Sequence, residues 1–219
     1  GLDGPVFALV ASGDTLYVGG AFSTAGGTSA NCVAHWNGST WSALGSGILL
    51  QPDFGVFALA LSGTDLYVGG SFDAAGGVPA CCIAQWNGSA WSALASGMDD
   101  RVYGLAVLGS DLYAAGQFRT AGGTPAPNLA KWDGNTWSAL PGLDQSHPFD
   151  IEALAVAGTN LYLGGDFRTT GGSVARNLAK WDGAAFSALG AGINDAVAVL
   201  AQSGTNLYAA GAFTTTDQG

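Results

Sequence analysis

Apolar residues in this chain come in short runs, each cut within a few positions by Gly, Ser, Thr, Asn or Asp. Runs of that length between turn residues predict β-strands rather than helices. Apolar runs such as Val6–Val10 and Val56–Leu61 lead through a Gly-containing turn to Leu-Tyr, a small residue and glycine. Gly13-Asp14-Thr15, Gly63-Thr64-Asp65 and Gly158-Thr159-Asn160 each separate two β-rich runs, which reads as a hairpin. Further on, Asn37-Gly38, Asn87-Gly88, Asp133-Gly134 and Asp182-Gly183 supply the positive φ of a second, tighter hairpin. Four antiparallel strands per unit follow, called a to d in chain order. Between strands b and c a second glycine pair, such as Gly26-Gly27, opens a longer loop.

The units repeat. Tyr17, Tyr67, Tyr113, Tyr162 and Tyr208 are spaced 50, 46, 49 and 46 residues apart, the period of four-stranded propeller blades. The expected fold is an all-β β-propeller of four-stranded antiparallel blades, forming a single domain or part of one. Its repeats run approximately over 1–47, 48–97, 98–142, 143–192 and an incomplete 193–219. Strand a, apolar on both faces, belongs innermost, while strand d, with Ser92, is shorter and more polar. Phe72, Trp86 and Trp91 and their equivalents Phe118, Trp132 and Trp137 recur, so they are expected to pack between blades.

The segments LYVGGSF, AGG, IAQWNG and WSALASG carry a double glycine, then an aromatic, then Trp. In this they resemble the kelch repeat, and more closely the kelch-like repeats of bacterial secreted proteins and fungal cortical-marker ectodomains. The resemblance spans essentially the whole chain. It implies a propeller with strand a lining the axis and binding surfaces built from the d-to-a and b-to-c loops. It implies no single activity, because kelch-type propellers serve as protein-binding platforms, glycan-binding modules and, in galactose oxidase, an enzyme scaffold. The copper chemistry of that enzyme needs Tyr and His ligands, whereas His35 and His147 are the only histidines here. Departures include Ala115-Gly116 and Ala210-Gly211 for the double glycine and Phe186 for the second Trp. The last unit lacks strands c and d, giving about four and a half blades. The expectation is therefore a piece of a longer propeller, or an oligomer that completes the incomplete blade.

Composition narrows the partners. Six Lys plus Arg face sixteen Asp plus Glu, so a net charge of −10 repels phosphate backbones and argues against nucleic acid. No apolar run approaches the roughly 18 residues of a membrane-spanning helix. This acidity suits an extracellular or cell-surface protein. Cys32, Cys81 and Cys82 form neither a CxxC pair nor an even framework; small thiols are expected, with a vicinal Cys81–Cys82 disulfide as the alternative. No cofactor is expected. Calcium is the one ion that Asp3, Asp99, Asp100, Asp144 and Asp195 would suit, although no DxDxDG loop gathers them.

Residues that break the repeat are free to be specific. The d-to-a loops vary most and carry Asp53, Phe54, Asp99, Arg101, His147 and Phe149, while the b-to-c segments add Arg119, Arg168 and Arg176. These nine residues are the candidate ligand-binding set; no catalytic set and no metal set is assigned. Their mixture of carboxylates, arginines and aromatics fits a non-enzymatic module that binds protein or glycan through its loop-rich face. The alternatives are a polysaccharide-active lyase or hydrolase, expected to cluster Asp or Glu with His147 and Arg168, and an assembly module completed by another chain.

Overall fold

The structure is a computed structural model and describes residues 1–49, 55–141, 150–168 and 175–216. Among these residues every regular element is a strand, and no helix is long and apolar enough to cross a membrane. Blade 1 consists of Val6–Ser12, Thr15–Gly20, Val33–Trp36 and Trp41–Ala43, hydrogen-bonded in the order a-b-c-d. Blade 2 repeats this with Gly55–Ser62, Asp65–Ser71, Ile83–Trp86 and Trp91–Ala93. Blade 3 uses Val102–Leu108, Asp111–Gly116, Leu129–Trp132 and Trp137–Ala139; blade 4 uses Asp150–Ala157, Asn160–Asp166, Leu178–Trp181 and Phe186–Ala188. The fifth unit pairs Val197–Ser203 with Asn206–Gly211.

Turn chemistry explains the c-d hairpins. Asn37 Oδ1 accepts the backbone N–H groups of Ser39 and Thr40 at 3.0 and 2.8 Å, and Asp133 does the same for Asn135 and Thr136. The side chain closes the turn from within, which is why Asn or Asp precedes the glycine. The b-to-c connection is more ordered than the sequence suggested. Thr24–Ala25 pairs with Thr28–Ser29 around Gly26-Gly27, and the same two-stranded ribbon recurs at Ala74–Ala75 with Val78–Pro79 and Thr120–Ala121 with Thr124–Pro125. Two-residue strands carry no readable alternation, so only the glycine pair, with φ of 59° and 84° in blade 1, betrays them.

Cores form between blades rather than within them. Ala58 and Ala60 of blade 2 pack with Val102, Leu105 and Phe118 of blade 3, and the inner strands of successive blades lie against one another. Phe22, Phe72 and Phe118 are fully buried. Trp91 Nε1 donates to the Leu44 carbonyl of the preceding blade at 2.8 Å, and Trp137 Nε1 to Leu94 at 3.1 Å. The repeated aromatics thus join blade to blade; Phe186, at the same position in blade 4, keeps the burial without a donor. The three cysteines are thiols, with Cys32 and Cys82 pushed up to about 11 by burial.

Strand a begins where strand b ends, so the d-to-a connectors and the b-to-c ribbons share one end of the propeller. Bridges from Leu2 to Ala25, Ile48 to Ala75 and Met98 to Ala121 fasten the segment before strand a to the ribbon of the same blade in blades 1 to 3. At this same end every strand a is irregular. Its register with strand b shifts between Val6 and Ala8, Val56 and Ala58, Val102 and Gly104, Ile151 and Ala153, and Val197 and Val199.

Glycine permits the bulge. A Cβ on Gly70 would stand 2.1 Å from the Gly55 carbonyl oxygen, and one on Gly116 would stand 2.0 Å from that of Arg101. Such a contact is prohibitive, so the second glycine of the pair stays glycine in all five units. The first, Gly69, faces Val102 and Leu105 side chains of the next blade, and its counterparts in units three and five are Ala115 and Ala210.

Candidate functional site

The bulged residue of each inner strand is Phe7, Phe57, Tyr103, Glu152 or Ala198. A bulge re-aims a side chain out of the regular alternation. All five line one open cavity of about 380 Å³ at the loop-bearing end of the inner strands, together with Gln117 and Asp150. A second cavity of about 320 Å³ shares the five bulged positions and continues along the same strands past Leu9, Leu59, Leu105, Leu154 and Leu200. A position of strand a that changes from aromatic to acidic to small is thus one that lines the axial cavity.

The wall is divided by chemistry. Phe7, Phe57 and Tyr103 form an arc with successive ring centroids 5.7 Å apart, tilted by 58° and then 40°. Tyr103 donates its hydroxyl to Gln117 Oε1 at 2.9 Å, and Gln117 Nε2 donates to Asp150 Oδ2 at 2.8 Å. Ring, amide and carboxylate are therefore joined in one hydrogen-bonded network. Glu152 completes the acidic side. Burial raises its pKa above the usual carboxylate range, and the charges of Asp150 and Asp166 add to that rise.

Those sequence-selected residues that the structure describes lie at the rim or outside the axial cavity. Asp53, Phe54, His147 and Phe149 lie outside the described residues. Arg101 is exposed at the rim, where its carbonyl accepts the Gln117 N–H. Asp99 Oδ1 accepts the N–H groups of Arg119 and Thr120, both at 2.8 Å. Burial alone would raise the pKa of Asp99; these two N–H bonds outweigh it and hold the carboxyl low. Asp3 accepts the corresponding bonds from Ser23 and Thr24, and Asn194 from Thr214 and Thr215, so this clasp is a feature of the repeat. Arg119, Arg168 and Arg176 are exposed on the b-to-c segments, and none of them lines the axial cavity.

Of the aspartates considered for calcium, Asp144 lies outside the described residues, and Asp100 and Asp195 each accept the N–H of the next residue. No group of three or more His, Cys, Asp or Glu among the described residues could hold a metal ion. Phe7, Phe57 and Tyr103 escaped the sequence reading because strand a reads as apolar on both faces. Aligning its five copies exposes them: Phe, Phe, Tyr, Glu and Ala follow an unvarying Val or Ile.

Repeated four-stranded antiparallel blades, packed through their faces with inner strands around a common cavity, define a β-propeller. A model of the Rax2 C-terminal β-propeller domain matches residues 56–202, more than half of the chain, and the protein belongs to that family. This places it among β-propeller repeat proteins without singling out the kelch repeat. Among solved structures it is similar to the extracellular domain of BT4673 from B. thetaiotaomicron, with a TM-score of 0.57 and 12% identity over 93% of this chain. The chain spans only 25% of that protein's length. The computationally designed Ika4 protein matches with a TM-score of 0.51 and 12% identity, over 83% of this chain and 92% of Ika4. At such identities the likeness is one of fold. No protein of curated annotation matches the sequence.

Proposed function

We propose that this chain is an extracellular, non-enzymatic binding module that recognises protein or glycan at its loop-bearing face, with the axial cavity as the central contact. The observation that carries this reading is the departure from the repeat at the bulge. Scaffold positions are alike from blade to blade, whereas the bulged position changes from Phe7 and Phe57 to Tyr103 and Glu152, and these meet in one cavity with Gln117 and Asp150. Apolar walls with a few fixed polar groups are what ligand sites offer. Asp99, Arg101, Arg119, Arg168 and Arg176 are proposed as the outer part of the same face.

The test is a screen of the chain on peptide and glycan arrays beside its Phe57→Ala and Glu152→Gln variants. Reproducible binding to one class, weakened by both substitutions, supports the reading. Binding that ignores both overturns it.

Two other readings have an observation of their own. Asp150 and Glu152 share the cavity, and a carboxyl with a raised pKa beside a second carboxylate suits a polysaccharide-active enzyme. That reading requires turnover of a polysaccharide that Glu152→Gln abolishes. An assembly role is suggested by the end blades. Val6 and Leu9 are 38% and 62% exposed, while Val56, the blade 2 equivalent of Val6, is fully buried against blade 1.

A further inference from the structure

We propose that the axial cavity is a cation-accepting half-cage that takes the ammonium or guanidinium end of a lysine or arginine side chain from a basic protein segment. This rests on the reading of the cavity as the binding site, and it names the chemistry of the ligand. The aromatic arc is the first ground. Phe7, Phe57 and Tyr103 are tilted by 58° and 40° from ring to ring, so they share no plane on which a sugar ring could lie across two of them. The three rings nonetheless line one cavity, and a cation near the face of an aromatic ring is attracted by its quadrupole.

The second ground is charge. Asp150 and Glu152 line the same cavity on the strand beside that of Tyr103, and no Lys or Arg is among the described residues that line it. The Glu152 carboxylate is half-buried and is acted on by Asp150 and Asp166, charges of its own sign. An incoming cation relieves that repulsion and is paired in partly desolvated surroundings, where the pairing is worth more than at an open surface. The network from Tyr103 through Gln117 to Asp150 holds ring and carboxylate together before any ligand arrives, which lowers the ordering cost of binding.

The long-range field agrees. The net charge of −10 steers basic partners towards the chain and repels acidic ones.

The experiment is isothermal titration of the whole chain with a flexible lysine–glycine dodecapeptide, its arginine counterpart, the same lysine peptide fully Nε-acetylated, and cellohexaose. The lysine and arginine peptides are expected to bind, and acetylation to weaken binding at least about tenfold, because it removes the charge and keeps the length. Phe57→Ala and Glu152→Gln are each expected to weaken the lysine peptide by about fivefold, while Asp73→Asn, outside the cavity, leaves it unchanged. Equal binding of the acetylated peptide overturns the proposal without recourse to any variant. So does lysine-peptide binding that falls as much with Asp73→Asn as with Glu152→Gln, since attraction to general surface acidity would then explain it. Cellohexaose binding that Phe57→Ala abolishes, with no lysine-peptide binding, overturns the cation and leaves the cavity as the site. Binding of either class that no cavity variant alters overturns both.

Discussion

Asp3, Asp99 and Asn194 occupy the same place in their units and accept the same pair of backbone N–H groups, two with a charge and one without. Geometry therefore suffices for the clasp. Asp99→Asn should keep stability near the parent's at pH 7, whereas Asp99→Ala leaves two N–H donors without that partner and should cost about 1 kcal/mol in urea unfolding. Charge governs the acid limb. Hydrogen bonds hold Asp3, Asp99, Asp133 and Asp182 below the usual carboxylate range, so the folded state binds fewer protons than the unfolded state. That contribution is fully present above the unfolded pKa, roughly 4, and is lost as pH falls through the folded values. The urea midpoint should be flat near neutrality and fall below about pH 4. Glu152 has the opposite sign. Its folded pKa is raised, so it favours the folded state at low pH and disfavours it once ionised. Glu152→Gln should hold or raise stability at pH 7, by about 0.5 kcal/mol at most given solvent screening, while weakening ligand binding. A stability gain with a binding loss would mark Glu152 as kept for function.

At the scale of the element, the bulge of strand a couples glycine to site. Gly70→Ala drives a Cβ into the Gly55 carbonyl and should cost about 2 kcal/mol or more, displacing Phe57 with it. Gly69→Ala meets side chains of Val102 and Leu105 and should cost less, as Ala115 and Ala210 already illustrate. Comparing the two thermal midpoints checks the assignment. The hairpins, the blades and the aromatic joints between them were legible in sequence, since Asn-Gly turns, the Tyr spacing and the Trp repeats each report a local or recurring need. The cavity was hidden for a physical reason. A bulge breaks the period-two alternation on which strand reading rests, so Phe57 and Tyr103 looked like ordinary core residues. Asp99, conversely, drew notice as a loop carboxylate, and the structure shows it accepting backbone bonds as Asp3 does. Arg119 reaches that same clasp through its main chain.

For the molecule as a whole, each blade receives its neighbour in the same way: the strand b position of Gly19 or Gly69 takes the strand a valine that follows, Val56 or Val102. The end blades present the two halves of this joint, with Leu9, Val199 and Tyr208 each more than half exposed. The chain by itself should therefore associate at raised concentration, and Leu9→Lys should shift its sedimentation towards the monomer; an unchanged distribution would remove the assembly reading. The binding reading depends on where a ligand sits. The most direct measurement is an NMR chemical-shift map of the labelled chain on addition of the lysine–glycine peptide. The account predicts shifts centred on Phe7, Phe57, Tyr103, Gln117, Asp150 and Glu152, fading outward along each blade. Shifts confined to the outer strands around Ser42, Ser92 and Ser138, with the cavity residues unmoved, would contradict it.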